Sequence, residues 1–209
     1  MTRPSVKNSR KEAPVQTKTQ LWRNPLLIAA LLAVVTAAAY WQTAGNGFVN
    51  FDDNLYITEN YHVRDGLTWE GFRWAFTHFH AANWHPLTWL SHMLDVEIFG
   101  LWAGGHHITN LLLHIANTLL LFGFLNRATR RLWASAFVAA LFALHPLHVE
   151  SVAWASERKD TLSTFFWLAA MWSWMWYAAR PNIPRYLCTA AVFAMGLMAK
   201  PMLVTLPIV

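Results

Sequence analysis

Apolar runs at residues 25–41, 108–125, 132–144, 162–179 and 186–199, with a sixth starting at Met202, restrict this chain to folds that a bilayer accepts. Hydrophobic residues make up 56% of it and charged ones 13%, against about 25% charged in soluble domains. Several runs are shorter than the roughly 20 residues that cross a hydrocarbon core of about 30 Å. Trp22, Tyr40, Trp41, Trp133, Trp176 and Tyr177 at their ends extend them into the interfaces as an aromatic belt. The run at 132–144 is the shortest and also fits a re-entrant segment. The pattern predicts an all-α polytopic membrane protein.

Charge sets the expected orientation. With the N-terminus in the cytoplasm, the inside segments are 1–24, 126–131 and 180–185. They hold Arg3, Lys7, Arg10, Lys11, Lys18, Arg23, Arg127, Arg130, Arg131, Arg180 and Arg185 of the 16 basic residues. Arg64, Arg73, Arg158, Lys159 and Lys200 fall outside, so the positive-inside rule favours this arrangement. The pI of about 9.7 is thereby explained without a basic patch for nucleic acid. The single cysteine, Cys188, excludes an internal disulfide. Residues 1–24 read as a basic disordered arm and the first run as an uncleaved span rather than a signal peptide. The chain stops inside an apolar run, which predicts the N-terminal part of a longer protein.

Two polar loops interrupt the apolar pattern on the exterior side. The second, 145–160, carries His145, His148, Glu150, Glu157, Arg158, Lys159 and Asp160, more ionisable groups than a turn between spans needs. The first, 42–107, is far longer than ordinary connections and therefore has structure of its own. Gly45-Asn46-Gly47 breaks the first helix, and Asp52-Asp53 follow directly, flanked by Phe48, Val49 and Phe51. Thr68 is an expected N-cap. Trp69, Phe72, Phe76 and Phe79 recur at helical spacing, as on a helix lying in the interface plane or packed on the protein's own core. A second apolar-rich segment, 89–99, is expected to end at Gly104-Gly105.

His107, Asn110, His114 and Asn117 recur at i, i+3, i+7 and i+10 and share one face of a helix. Such a stripe turns toward a cavity or bonds neighbouring helices. His145, His148 and Glu150 offer donors that zinc accepts, but their spacing is not a ligand motif. No metal site is assigned, and a divalent ion stays unsupported by the sequence. There is no GxSxG nucleophile elbow and no glycine-rich phosphate loop.

The order of several motifs resembles one family. They are Phe48-Val49-Asn50-Phe51-Asp52-Asp53 with Ile57 and Asn60, His85-Pro86-Leu87-Thr88, and His107-Ile108-Thr109-Asn110-Leu111-Leu112-Leu113-His114. Next come the run from His145 to Ala153 with Glu157-Arg158-Lys159-Asp160, and finally Lys200-Pro201. The family is that of the transmembrane and tetratricopeptide-repeat O-mannosyltransferases and their bacterial relatives, within the GT-C superfamily. The similarity covers about residues 45–209. It implies a GT-C-like helix bundle over 25–209, with about five complete spans and a truncated sixth, whose C-terminal repeats lie beyond this chain.

The resemblance also implies an inverting glycosyltransferase using a polyprenyl-phosphate-linked sugar and a protein or other hydroxyl acceptor at the exterior face. Asp52 is then the catalytic base, with Asp53 as helper or substitute. Arg158 is the first choice to grip the leaving phosphate, with Lys159, Lys200 and His148 as further phosphate ligands. His85, His107, Asn110, His114, His145, Glu150, Glu157 and Asp160 are expected to line or support the cavity. Departures at His85, at Glu157-Arg158-Lys159-Asp160 and at Pro201 bear on the sugar and acceptor more than on the fold. The fragment alone is expected to be inactive. Alanine- and tryptophan-rich spans point to a bacterial inner membrane. Two other readings stay open: a transporter or channel along the stripe, and a non-catalytic anchor for the repeat domain.

Overall fold

The computed structural model describes residues 22–208. Most of the basic arm expected over 1–24, residues 1–21, lies outside the described residues. Helix α1 (Pro25–Tyr40) starts where Asn24 accepts a hydrogen bond from Leu26 N at 2.9 Å, with Pro25 in the first turn. A 3-10 turn, Trp41–Gly45, ends it before the Asn46-Gly47 break.

The 42–107 segment is a folded cap. It contains a π-type turn at Asn54–Thr58 and helices α2 (Tyr61–Arg64), α3 (Trp69–Thr77) and α4 (Pro86–Phe99). After it come α5 (Ala103–Thr129) and α6 (Leu132–Leu144). The short α7 (His148–Ala153) and a 3-10 turn at Ala155–Glu157 follow, then α8 (Arg158–Ala179) and α9 (Ile183–Ala199). Among the described residues there is no β-strand, only the isolated bridge between His80 and Asn83.

Several expected boundaries shift. Helix α4 ends at Gly100, whose φ of 62° suits glycine, and not at Gly104-Gly105. Those two glycines belong to the first turn of α5. A β-carbon on Gly104 would meet the Ala44 carbonyl, so a glycine there lets α5 approach the turn after α1. Helix α8 begins at Arg158, so the end of the second polar loop is helical. The sixth apolar run forms a 3-10 helix, Pro201–Ile208, rather than the start of a regular span.

Three buried clusters hold the described residues, the smallest being Tyr40, Leu111 and Val152. Ile28, Leu32, Phe122, Ala136 and Ala139 join α1, α5 and α6. The cap has its own core of Tyr56, Ile57, Val63, Trp74, Ala75, Trp89 and Met93, to which Ala155 is added from the second loop. Ile57 and Met93 are fully buried, each contributing about 1.5–3 kcal/mol. Thr68 caps α3 through Gly71 N at 2.9 Å. Helix α3 buries Trp74 and Ala75 in the cap, and its exposed Trp69 and Phe72 rings stack 5.5 Å apart. The expectation that α3 packs on the protein's own core therefore holds in part, although Phe79 lies beyond its end.

Segments Pro25–Gly45 and Ala103–Thr129 are long and apolar enough to cross a bilayer, whereas α6 and α9 are shorter apolar helices. Leu26, Leu31 and Val34 on α1, Leu112 on α5 and Phe137 and Leu141 on α6 are exposed. Such outward apolar faces suit lipid rather than water, and the chain is a membrane protein.

Candidate active site

The two adjacent acids are placed differently. Asp53 is fully buried; its Oδ2 accepts from Val49 N and its Oδ1 from Ser156 N, both at 2.8 Å. It clamps the start of the cap to the second polar loop. Asp52 is half-buried, and its carboxylate has no hydrogen-bond partner among the described residues. Removing the clamp leaves two amides unpaired, at about 1–3 kcal/mol each. Asp53→Ala is therefore expected to lower the thermal unfolding midpoint in detergent clearly more than Asp52→Ala does.

Charges gather around Asp52. The Tyr56 hydroxyl is pushed up to about 12, first by burial and then by the negative charges of Asp52 and Glu157. Asn83 Nδ2 donates to the Tyr56 hydroxyl at 3.2 Å, and Lys159 Nζ sits 5.0 Å from the Tyr56 ring centroid. Lys159 also pairs with Glu157 at 2.7 Å. Burial raises the Glu157 carboxyl, while Lys159 beside it acts in the opposite direction. Lys200 pairs with Asp160. Asp52, Tyr56, Glu157, Lys159, Asp160 and Lys200 thus form one charged strip where the cap meets α8 and the end of α9.

Asn83 reaches Tyr56 from a turn in which Ala81 and Ala82 adopt positive φ, 48° and 60°. Non-glycine residues held there cost on the order of 1–3 kcal/mol each, a strain that functional sites commonly store. The sequence reading missed Tyr56 and Asn83, for neither stands in a motif with chemical spacing.

His85 is buried beside the strip, its ring centroid 5.5 Å from that of Tyr56. Burial first, then the charge of Lys159, lowers its pKa to about 4. The unfolded chain, with a histidine pKa near about 6.5, binds the proton first as pH falls. Stability from neutral His85 is then complete above about pH 6.5 and declines toward pH 4. Unfolding midpoints from pH 7 to pH 4 are expected to fall less steeply in His85→Gln than in wild type.

Arg158, the first choice for phosphate, lies elsewhere. It is fully buried, and all three guanidinium nitrogens are engaged. Nη2 donates to Asp95 Oδ2 at 2.6 Å and to the His106 carbonyl at 2.8 Å, Nη1 donates to Ser91 Oγ at 2.7 Å, and Nε donates to Asn110 Oδ1. This geometry locks α8 to α4 and α5, uses four of the five guanidinium N–H donors and buries the group completely. Asp95 went unnoticed because its segment reads as apolar; an acid in such a segment requires a buried partner.

The α5 stripe is buried and spent largely on packing. His107 meets the Gly47 carbonyl at 3.4 Å, and Asn110 donates to the Trp154 carbonyl at 2.8 Å. His114 meets the Ala143 carbonyl at 3.0 Å, and Asn117 donates to the Thr161 carbonyl at 2.8 Å. His114 and Asn117 also border a cavity of about 250 Å³ with His148, Ser151, Asp160 and Lys200. Burial lowers the His148 pKa, with a smaller contribution from His145. His145 and Glu150 are exposed, and neither lines the cavity.

By class, then, this is an all-helical membrane protein whose acids and lysines meet between a folded cap and the helix bundle. Protein O-mannosyl-transferase Tmtc2 of Drosophila melanogaster is 33% identical over 145 residues, 65% of this chain and 15% of that protein. Protein O-mannosyl-transferase TMTC1 of Mus musculus is 33% identical over 159 residues, 72% and 17% of the two chains. TMTC3 of Mus musculus is 30% identical over 156 residues, 69% and 16%. Over the stretch matched, the chain belongs to the TMTC family of protein O-mannosyl-transferases, as its ordered motifs implied. It spans about a sixth of the length of these relatives. No family model and no solved structure matches it.

Proposed function

We propose that this chain is the donor-binding, base-carrying part of a polytopic GT-C-type glycosyltransferase with its N-terminus in the cytoplasm. The enzyme moves a sugar, mannose by the names of the relatives, from a polyprenyl phosphate to a protein hydroxyl on the exterior face. The observation that carries this reading is the free, half-buried carboxylate of Asp52 beside a strip holding Lys159 and Lys200.

Asp52 takes the proton of the acceptor hydroxyl as that oxygen forms its bond to the anomeric carbon. The bond from that carbon to the phosphate oxygen breaks with inversion, and polyprenyl phosphate leaves. Charge developing on the leaving oxygen needs fixed donors. Lys200 at the cavity rim suits this best, followed by Lys159 and His148; Arg158 acts from behind as a scaffold. Asp53 holds the Asp52 backbone in place. The hydrogen bonds made by the α5 stripe favour packing over a transport pathway.

The test is transfer by the full-length protein in membranes, supplied with labelled polyprenyl-phosphate mannose and an acceptor protein. Label appearing on serine or threonine supports the reading. No transfer from mannose or glucose donors, with the protein folded, overturns it.

A further inference from the structure

Helices α4 and α5 share a cluster that sugar transfer does not use. His92 and Asp95 stand at i and i+3 of α4 and so face one side of it, while His106 lies in the first turn of α5. All three are buried, at 0%, 2% and 0% exposure. One ligand atom from each lies within 4.8 Å of the others. His106 Nδ1 is 3.4 Å from Asp95 Oδ2, and the two imidazole centroids are 5.8 Å apart.

Among the described residues neither ring nitrogen of His92 has a hydrogen-bond partner, and His106 has only loose contacts, to Asp95 and to the Gly100 backbone. A buried unpaired polar atom costs about 1–3 kcal/mol, so the two unpaired nitrogens of His92, beside a weakly held His106, call for an occupant. Two imidazoles and a carboxylate are the donor set of zinc and neighbouring divalent transition ions. The carboxylate is already oriented from outside the cluster. Thr109 Oγ1 donates to its Oδ1 at 2.8 Å and Arg158 Nη2 to its Oδ2 at 2.6 Å. Such outer partners position a ligating carboxylate, and each oxygen keeps a second lone pair.

We propose that His92, Asp95 and His106 bind one divalent transition-metal ion of the zinc type, pinning α4 of the cap to the start of α5. Three protein donors leave the remaining position to water. The positive charge of Arg158 keeps the affinity below that of a closed four-ligand site. The His145, His148 and Glu150 set weighed from the sequence does not converge in this way. The site stands apart from the transfer reading and is tested without an activity assay.

The full-length protein in detergent is stripped with a chelator and reloaded with Zn²⁺ or Co²⁺. Bound metal is then counted by mass spectrometry in wild type, H92Q, H106Q and the exposed control H78Q. The expected result is one equivalent in wild type and H78Q, with at least about tenfold weaker binding in H92Q and H106Q, since loss of an outer partner alone costs about 10–100-fold. X-ray absorption of the loaded wild type is expected to show imidazole ligation, which keeps the test open if a variant misfolds. A wild type without stoichiometric metal, unchanged binding in both histidine variants, or a spectrum lacking imidazole overturns the proposal.

Discussion

Asp52→Asn is expected to lower sugar transfer by about 10²–10⁴-fold, the usual worth of a general base, with folded protein recovered at the wild-type level. The side chain keeps its shape but loses the charge that accepts the acceptor's proton. Folding is spared because, among the described residues, the Asp52 carboxylate makes no hydrogen bond that an amide would break. The measurement is initial transfer rate in membranes at matched expression, alongside detergent unfolding midpoints. Undiminished transfer in Asp52→Asn would remove the base from the mechanism. Asp53 would be a poor substitute, because both its oxygens already hold backbone amides of Val49 and Ser156.

Arg158→Ala is expected to destabilise the protein by about 3–5 kcal/mol, as truncating one partner of a buried ion pair leaves the other charge uncompensated. Asp95 would stay buried with the Thr109 hydrogen bond and the looser His106 contact, and Ser91, Asn110 and the His106 carbonyl would each lose a partner. The result should appear as loss of monodisperse protein and a lowered unfolding midpoint before any kinetic change is read. Lys200→Ala provides the contrast. Its ion pair with Asp160 is partly exposed, where a pair contributes only about 0–1 kcal/mol, so it should fold normally and lose transfer with a raised donor KM. An Arg158→Ala protein that folds as wild type and loses only donor affinity would restore Arg158 as the phosphate ligand.

The sequence by itself determined that the chain is helical and meets a bilayer. Runs without charge admit few other solutions, and the helix at 132–144 was legible to the residue. Its motif order also determined the family, and the length of 42–107 announced a folded cap. Helix ends were read less well where the stop is set by a backbone conformation, as at Gly100, or where a charged residue opens a helix, as Arg158 does.

Only the tertiary structure decided which polar residues are free to act. Asp52 and Asp53 are neighbours of identical chemistry, yet one is consumed by amides 4 and 103 positions away in the chain. Arg158 reads as a phosphate ligand until Asp95, 63 positions earlier, is found holding it. His92 and His106 carry no motif and acquire meaning only because two helices bring them together. Residue type states what a side chain can donate or accept. Whether that capacity is already satisfied depends on contacts between distant segments, and burial makes an unsatisfied group costly enough to matter.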